Sequence, residues 1–285
     1  SATSAQADKA MADSAVSANA TCAKAEAKTK PNKKKAASSA ESEARKPRSV
    51  KTTNVLSYGS DGTIVSIFAT GEKHAGNVLA EILGKRSPDL AIPLQMCDAL
   101  AENLPEGFKT LLANCNAHAR RKFVEIITDF PDDCTYVIDM YMRVYTTDAK
   151  AKENNLSPDA RLKLHQAESG PLFDALKTRI KAQQYEHRVE PNSTLGGVYR
   201  YMLKHWEALT LFLRVPGVPL DNNVCERAIK MAIKHRNNSL FYKTAKGAAN
   251  GDMFMSIIYT CTLNGVSAFS YLNALAQHAI RVRDN

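Results

Sequence analysis

The sequence predicts an α/β protein, with a mixed sheet in the first half of the chain followed by a long helical block and closing helices. Three observations predict this class. Two β-rich runs are joined by Gly59-Ser60-Asp61-Gly62, which is typical of a hairpin. A helical pattern and a short apolar strand follow, and this order implies a helical crossover in a mixed sheet. From residue 131 onward, apolar residues recur mainly at helical spacing.

Residues 1–50 differ in composition from the rest of the chain. They are mainly Ala, Ser and Lys with almost no large apolar side chains, and basic runs stand at 33–35 and 45–48. Such a segment buries too little surface to offset its ordering entropy, so we expect it to be mostly disordered. Its charges either add phosphate contacts that are independent of sequence or belong to a solvated linker.

Residues 51–130 are expected to form the first part of the core. The patterns predict strands at Thr53–Tyr58, Thr63–Thr70 and Ala91–Cys97, and a helix over 74–84 that ends at Gly84. Asp98 follows the last of these strands, and in open α/β sheets binding sites form at the carboxyl ends of strands. The alternative is that Asp98 caps a helix that starts near Ala99.

Residues 131–215 are expected to be all-helical. Helices are predicted at Tyr136–Thr146, Pro158–Gln166, 171–186 and 194–213. Ser157 is placed to cap the second of them, with Pro158 in its first turn. Aromatic residues recur at helical spacing in this block, and we assign them to the core rather than to base stacking.

Residues 216–285 begin with Pro216, Gly217 and Pro219, after which Asp221 is placed to cap a helix over 221–236. Glu226 lies at the edge of the apolar stripe of that helix, with cations on the other side. Such a carboxylate suits a metal ligand that faces a polyanion; the alternative is a surface pair with Lys230. Next come a short apolar stretch at Leu240–Tyr242 and a flexible segment of small residues at Thr244–Gly251. Two closing helices are predicted at Met253–Leu263 and Ala268–Ile280, and Ser267 is placed to cap the second.

Composition favours an anionic partner, with nucleic acid first. The formal net charge is +9 and the pI is about 9.2. No apolar run approaches the roughly 20 residues needed to span a bilayer, so no membrane partner is expected. The six cysteines are scattered without CxxC pairs, as expected for reduced thiols in a cytoplasmic protein.

Two stretches carry a family resemblance. Asp-Asn-Asn-Val-Cys-Glu-Arg-Ala-Ile-Lys at 221–230, followed by His-Arg-Asn-Asn-Ser-Leu-Phe at 235–241, closely resembles the C-terminal signature of IS66-type transposases. Cys-Asn-Ala-His-Ala-Arg-Arg-Lys-Phe at 115–123, in a predicted helix over 116–128, resembles the family's C-x-A-H-A-R-R-K-F block. The match continues through Gly247-Ala248, Ser256-Ile257-Ile258, Asn264-Gly265-Val266 and Tyr271-Leu272, and reaches back to about Thr52.

The resemblance implies an RNase H-like mixed sheet with a large all-helical insertion and C-terminal helices. It also implies a DDE site in which Asp98 and Glu226 are the second and third carboxylates, meeting at the carboxyl edge of the sheet. The family's first carboxylate lies on the opening strand, in an Asp-Asp-Thr or Asp-Glu-Thr run. Here the one candidate is Asp13, since Asp61 lies in a hairpin turn. Three such carboxylates are expected to hold two Mg²⁺ ions, or Mn²⁺ in their place.

The implied function is metal-dependent DNA strand cleavage and transfer in insertion-sequence transposition. The alternatives are an inactive or truncated transposase that only binds DNA, and a helical interaction protein with an incidental basic surface. His118 is expected to pair with phosphate or carboxylate, or to satisfy a local hydrogen bond. The expected partners are transposon ends, target DNA and further copies of the chain, in a bacterial cytoplasm at the nucleoid. DNA contacts are expected from Arg120, Arg121, Arg227, Lys230, Lys234 and Arg236.

Overall fold

The computed structural model describes residues 17–22, 51–59, 62–238 and 244–279, and at 17–22 and 235–238 it describes the backbone. Five strands form one mixed sheet in the order β3-β2-β1-β4-β5. Their bounds are β1 Ser17–Cys22, β2 Lys51–Tyr58, β3 Ile64–Gly71, β4 Leu94–Cys97 and β5 Leu111–Asn114. The predicted mixed sheet and the hairpin between β2 and β3 are therefore confirmed.

The direction of the strands decides where a site can form. β1 pairs antiparallel with β2 and parallel with β4, and β4 pairs parallel with β5. The carboxyl ends of β1, β4 and β5 consequently lie at one edge of the sheet. Asp98 follows β4 at this edge.

Two strands were not predicted. β1, Ser-Ala-Asn-Ala-Thr-Cys, falls in the segment expected to be mostly disordered, and its small residues have little β-propensity of their own. It is a strand because β2 and β4 pair with its two sides. β5 has four residues, too few to show a clear alternation. Asp13 lies outside the described residues.

Helices cover both faces of the sheet. On one face, α1 (Ala75–Leu83) packs Leu79 and Leu83 against Val55 of β2. On the other, α8 (Asn223–Asn238) and α9 (Ala245–Leu263) pack against Leu56 and Phe68. Adjacent residues of β2 thus enter different cores, as the alternation of a strand requires.

The block predicted to be helical is helical. It contains α3 (Pro131–Glu153), α4 (Pro158–Glu168), α5 (Gly170–Tyr185), α6 (Thr194–Lys204) and α7 (Trp206–Leu209). The single helix predicted over 194–213 is wrong, because the chain breaks at His205 and at Thr210 into α6, α7 and a short 3₁₀ turn. The core of the block is continuous with Met96 of β4 and Ala113 of β5, so the block packs directly on the sheet.

A ladder of polar side chains, three on α9 and the fourth on its C-cap residue Asn264, covers the edge strand β3. Four of its side chains accept the N–H groups of alternate β3 residues at 2.5 to 3.0 Å. Four helical residues advance about 6 Å and two strand residues about 6.7 Å, so the two repeats stay in step. Such cover protects an edge that would otherwise pair with another chain. The ladder consists of Asp252, Ser256, Thr260 and Asn264.

The predicted helix caps hold, but α9 begins earlier than expected. Ser157 and Ser267 accept backbone N–H groups at the starts of α4 and α10 (Ala268–Gln277). Thr244 caps α9, so the segment interpreted as flexible is largely helical. The stretch 240–242 lies outside the described residues. None of the helices in the described ranges is long and apolar enough to cross a membrane.

Candidate active site

Asp98 closes a tight turn directly after β4. The Asn103 side-chain amide donates a hydrogen bond to its carboxylate, and the backbone N–H of Leu100 also reaches it. The α-helix predicted near Ala99 is absent from this described stretch, where a short 3₁₀ turn at Ala101–Asn103 follows. The carboxylate is thus fixed by its own loop at the edge where the parallel strands end.

The pKa of Asp98 depends on a residue that is distant in the sequence, Glu226. Burial raises the pKa of Asp98 above its ordinary value. His118 and the Leu100 N–H oppose this shift, whereas the charge of Glu226 adds to it. The charge of Glu226 therefore acts on Asp98, although the two residues are far apart in the sequence.

His118 connects the two halves of the site. It lies in the first turn of α2 (Asn116–Val124), and its Nε2 atom is 3.4 Å from Oε1 of Glu226. Both side chains are mostly buried, with exposures of 27% and 17%. Of the roles left open for His118, the structure supports pairing with a carboxylate. The helix ends at Val124, earlier than the predicted 128.

Asn116 ties the loop before α8 to the start of α2. Its backbone N–H donates to the carbonyl of Leu220 at 3.0 Å, and its side-chain amide donates to the carbonyls of Leu209 and Leu220 at 3.0 and 3.3 Å. Its carbonyl oxygen accepts the hydroxyl of Tyr141 at 3.2 Å. This buried amide therefore fixes the loop that leads into the helix carrying Glu226.

The start of α8 places Glu226 over the sheet. The Asp221 carboxylate accepts the N–H of Asn223, the first residue of α8, at 3.1 Å, and the helix begins two residues later than the predicted 221. Cys225 and Ala228 are buried against Leu56, so Glu226 borders a buried face as predicted. Its ion partner is His118 on the facing helix, which favours the site over a surface pair within α8.

Several polar atoms around this point are buried without a hydrogen-bond partner among the described residues. Leaving a buried donor or acceptor unpaired costs roughly 1–3 kcal/mol, so native proteins keep few such atoms, and a group of them needs an explanation. A bound ion or substrate is one such explanation. The atoms are both amide atoms of Asn114 and of Asn222, His118 Nδ1 and Glu226 Oε1.

One group of three potential metal ligands comes together within the described residues. The donor atoms of Cys115, His118 and Glu226 all lie within 4.8 Å of one another. Burial raises the pKa of the Cys115 thiol to about 11, although the N–H groups of Asn222 and His118 lower it in part. The charges of His118 and Glu226, two members of this group, act on the pKa of Asp98. Asp13 lies outside the described residues.

The cations expected to contact DNA remain free of ion pairs within the described ranges. Arg121 is three residues after His118 on α2, and Lys230 is four after Glu226 on α8, so both helices carry exposed cations close to the site. The side chain of Arg236 lies outside the described residues. The exposed set is Arg120, Arg121, Arg227, Lys230 and Lys234.

Sequence reasoning missed Asn114, Asn222 and the place of Cys115 beside the carboxylates. Asn114 ends β5, a strand that was not predicted, so its place at the sheet edge was not visible. Asn222 stands between Asp221 and α8. Cys115 and His118 are three residues apart at the start of a predicted helix, and this spacing was an available signal that they share a face.

Comparison with known proteins gives a consistent match. A family model described as "Transposase IS66 family" matches residues 64–250. Two uncharacterized proteins of Sinorhizobium fredii, y4hP and y4jD, are 30% identical over 179 residues and 29% over 163; each match covers 56% of this chain and 31% of the relative. The chain thus spans about a third of the length of these relatives. No solved structure matches the chain.

Proposed function

Because the chain belongs to the IS66 family of transposases, we propose that it is a DDE-type enzyme that cleaves and transfers DNA strands during insertion-sequence transposition. The observation that carries the proposal is that the charges of Glu226 and His118 both act on the pKa of Asp98 at the carboxyl edge of the sheet, while His118 Nε2 lies 3.4 Å from Oε1 of Glu226. Carboxylates from distant parts of a chain are what DNA phosphoryl transfer uses to hold divalent cations.

The sheet supports the further proposal of an RNase H-like core. A hairpin of two antiparallel strands precedes two strands that run parallel to β1, and Asp98 stands at the end of one of them. The helical block enters between β5 and α8, which separates Asp98 from Glu226 in sequence without separating them in space. This arrangement agrees with a catalytic core that carries a helical insertion.

The oxygen donors at this edge fit Mg²⁺. Asp98 and Glu226 offer carboxylate oxygens. Asn114, the last residue of the neighbouring strand β5, adds an amide oxygen that has no hydrogen-bond partner among the described residues. Hard divalent cations prefer such oxygen ligands. When bound, Mg²⁺ would activate the attacking water or 3′-hydroxyl and neutralise charge at the phosphorus. In this proposal Arg121 and Lys230 bind flanking phosphates and hold the strand against the site.

The opening strand raises a second candidate, a transposase that binds DNA without cutting it. The family's first carboxylate lies in an Asp-Asp-Thr or Asp-Glu-Thr run, whereas β1 contains Asn19-Ala20-Thr21. Asn19 pairs with Leu56, and paired residues of antiparallel strands share a face, so position 19 lies on the face that α8 covers. We propose that Asn19, rather than Asp13, occupies the first carboxylate position. An amide there lacks the charge that a second metal ion requires.

A nicking assay separates the two candidates. The substrate is a labelled duplex carrying the terminal sequences of the element, incubated with Mg²⁺ or Mn²⁺. Slow nicking by the unmodified chain would support the enzyme, and no nicking would support the DNA-binding candidate. We expect the double variant Asn19→Asp with Ala20→Asp to nick on the order of a thousandfold faster than the unmodified chain. Adding Glu226→Ala should abolish that gain.

The assay has clear contrary outcomes. Fast nicking by the unmodified chain that is lost with Asp13→Ala would restore Asp13 as the first carboxylate. Duplex binding without nicking, even after the double substitution, would favour the DNA-binding candidate. Nicking that survives Glu226→Ala would contradict the site itself.

Transposon ends and target DNA are the partners this proposal requires. Assembly of several copies on DNA and association with the bacterial nucleoid remain predictions from the family. The chain spans about a third of the length of its relatives, so these properties are proposals.

A further inference from the structure

Cys115, His118 and Glu226 form a donor set of sulfur, nitrogen and oxygen that Mg²⁺ chemistry does not need. The Nε2 atom of His118 and the Oε1 atom of Glu226 are 3.4 Å apart. Two such ligands on one tetrahedral ion, with bonds of about 2.0–2.1 Å, lie about 3.3 Å apart. The observed separation is therefore already that of two ligands of the same ion.

The sulfur completes this geometry with a small movement. Its distance to the other donor atoms is at most 4.8 Å. A thiolate bonded at about 2.3 Å would lie about 3.6 Å from its neighbours, so a shift of roughly 1 Å suffices. Cys115 and His118 are three residues apart at the start of α2, which places them on one face of the helix.

The scaffold holds the third ligand in place. Glu226 comes from α8, and Asn116 bonds the loop before α8 to the start of α2. The three donors therefore belong to two helices that are joined at their N-terminal ends. His118 Nδ1 and Glu226 Oε1 have no hydrogen-bond partner among the described residues, so both side chains retain bonding capacity.

We infer that Cys115, His118 and Glu226 bind one divalent transition-metal ion of the Zn²⁺ class. Zn²⁺ and Co²⁺ accept thiolate, imidazole and carboxylate together, whereas Mg²⁺ prefers oxygen ligands. Cys115 binds as the thiolate and gives its proton to the buffer. Three protein ligands leave a fourth position for water, reached through the exposed edges of His118 and Glu226.

This site has a consequence that rests on the proposed function. Glu226 belongs both to this donor set and to the proposed Mg²⁺ site, so the two ions compete for it. A Zn²⁺-class ion would then hold the enzyme in an inactive state. The binding itself is independent of catalysis and is tested without DNA.

Cobalt titration of the reduced chain tests the inference. We expect one Co²⁺ per chain, with a thiolate-to-cobalt charge-transfer band, and displacement of Co²⁺ by Zn²⁺. Cys115→Ala should remove the band, while the matched control Cys97→Ala, a neighbouring buried cysteine outside the donor set, should keep it. His118→Gln, at a partly exposed position, should weaken Co²⁺ binding by at least roughly 10- to 100-fold, the loss expected when only a hydrogen-bond partner of a metal ligand is removed.

The contrary results are equally specific. Circular dichroism first establishes that each variant is folded. A band that survives Cys115→Ala, a band lost with Cys97→Ala, or Co²⁺ affinity unchanged by His118→Gln would overturn the assigned ligands. Absence of Co²⁺ binding by the folded, reduced chain would overturn the site while leaving the nicking assay open.

Discussion

Two buried acidic clusters of this chain are built in opposite ways. Asp148 of α3 receives Arg161 at 2.6 Å, Lys152 at 2.7 Å and His165 at 3.3 Å. Burial alone would raise the pKa of Asp148, but these hydrogen bonds and charges hold it well below its ordinary value. At Asp98 burial and Glu226 prevail and the pKa is raised. A carboxylate whose pKa is lowered by its partners stabilises a fold, whereas one whose pKa is raised is typical of a functional site.

The Asp148 cluster also shows that residue types alone do not indicate a function. Ser169, His165 and Asp148 are linked in the order of a hydrolase triad, at 3.0 and 3.3 Å. Ser169 and His165 are fully buried, so no substrate reaches them. Arg161 bonds both Asp148 and the carbonyl of Val218, which ties the helical block to the loop before α8. This cluster therefore positions the site without taking part in it.

The largest expected effect is on stability at Asp148. Asp148→Asn leaves buried Arg161 and His165 without their carboxylate, and breaking such a buried pair costs on the order of 3–5 kcal/mol. Urea denaturation at neutral pH measures the change, with Asp139→Asn, an exposed position on the same helix, as the control. A loss no larger than that of the control would show that the cluster does not stabilise the fold.

The stability that Asp148 contributes should depend on pH. Because the folded-state pKa of Asp148 is lowered, its contribution is present above the unfolded value of about 3.9 and is lost as the pH falls below it. The stability difference between the unmodified chain and Asp148→Asn should therefore shrink below about pH 4. A difference that stays constant into that range would contradict the assigned cause.

A smaller effect of opposite sign is expected at Asp98. Asp98→Asn removes a buried charge that Glu226 opposes, yet keeps an oxygen to accept the bond from Asn103. The free energy of unfolding should stay the same or rise by up to about 1 kcal/mol. A loss comparable to that of Asp148→Asn in the same urea titration would show that Asp98 is structural.

The sequence predicted the elements whose patterns are long or strongly marked. The hairpin, the helical block and the caps at Ser157 and Ser267 all followed from periodicity or capping residues. β1 and β5 did not, because a strand of small residues and a strand of four depend on neighbours rather than on their own composition.

The site was predicted in part for the same reason. Glu226 and Asp98 each carry a local signal, namely the border of a helical stripe and the end of a strand. Asn114 and Asn222 carry none, since an unpaired buried amide is a property of the packed structure. The position of Asn19 beside Leu56 likewise required the register of β1.

The smallest expected effect concerns the exposed cations. Binding to nonspecific duplex should weaken steeply with salt, and Arg121→Ala or Lys230→Ala should each reduce the slope of log affinity against log salt by about one. Lys163→Ala, on the helical block, serves as a charge-matched control. Slopes equal to that of the control would show that these cations do not contact phosphate.

The most direct test of a cation site at Asp98 and Glu226 is the effect of Mg²⁺ on thermal unfolding. If Asp98 and Glu226 form a cation site, Mg²⁺ binds the folded state, stabilises it by about 1.4 kcal/mol at ten times its Kd and so raises Tm. We predict this rise for the unmodified chain and for Asp139→Asn, and its loss in Asp98→Asn and Glu226→Gln. No rise in the unmodified chain, or an equal rise in all four proteins, would contradict the account.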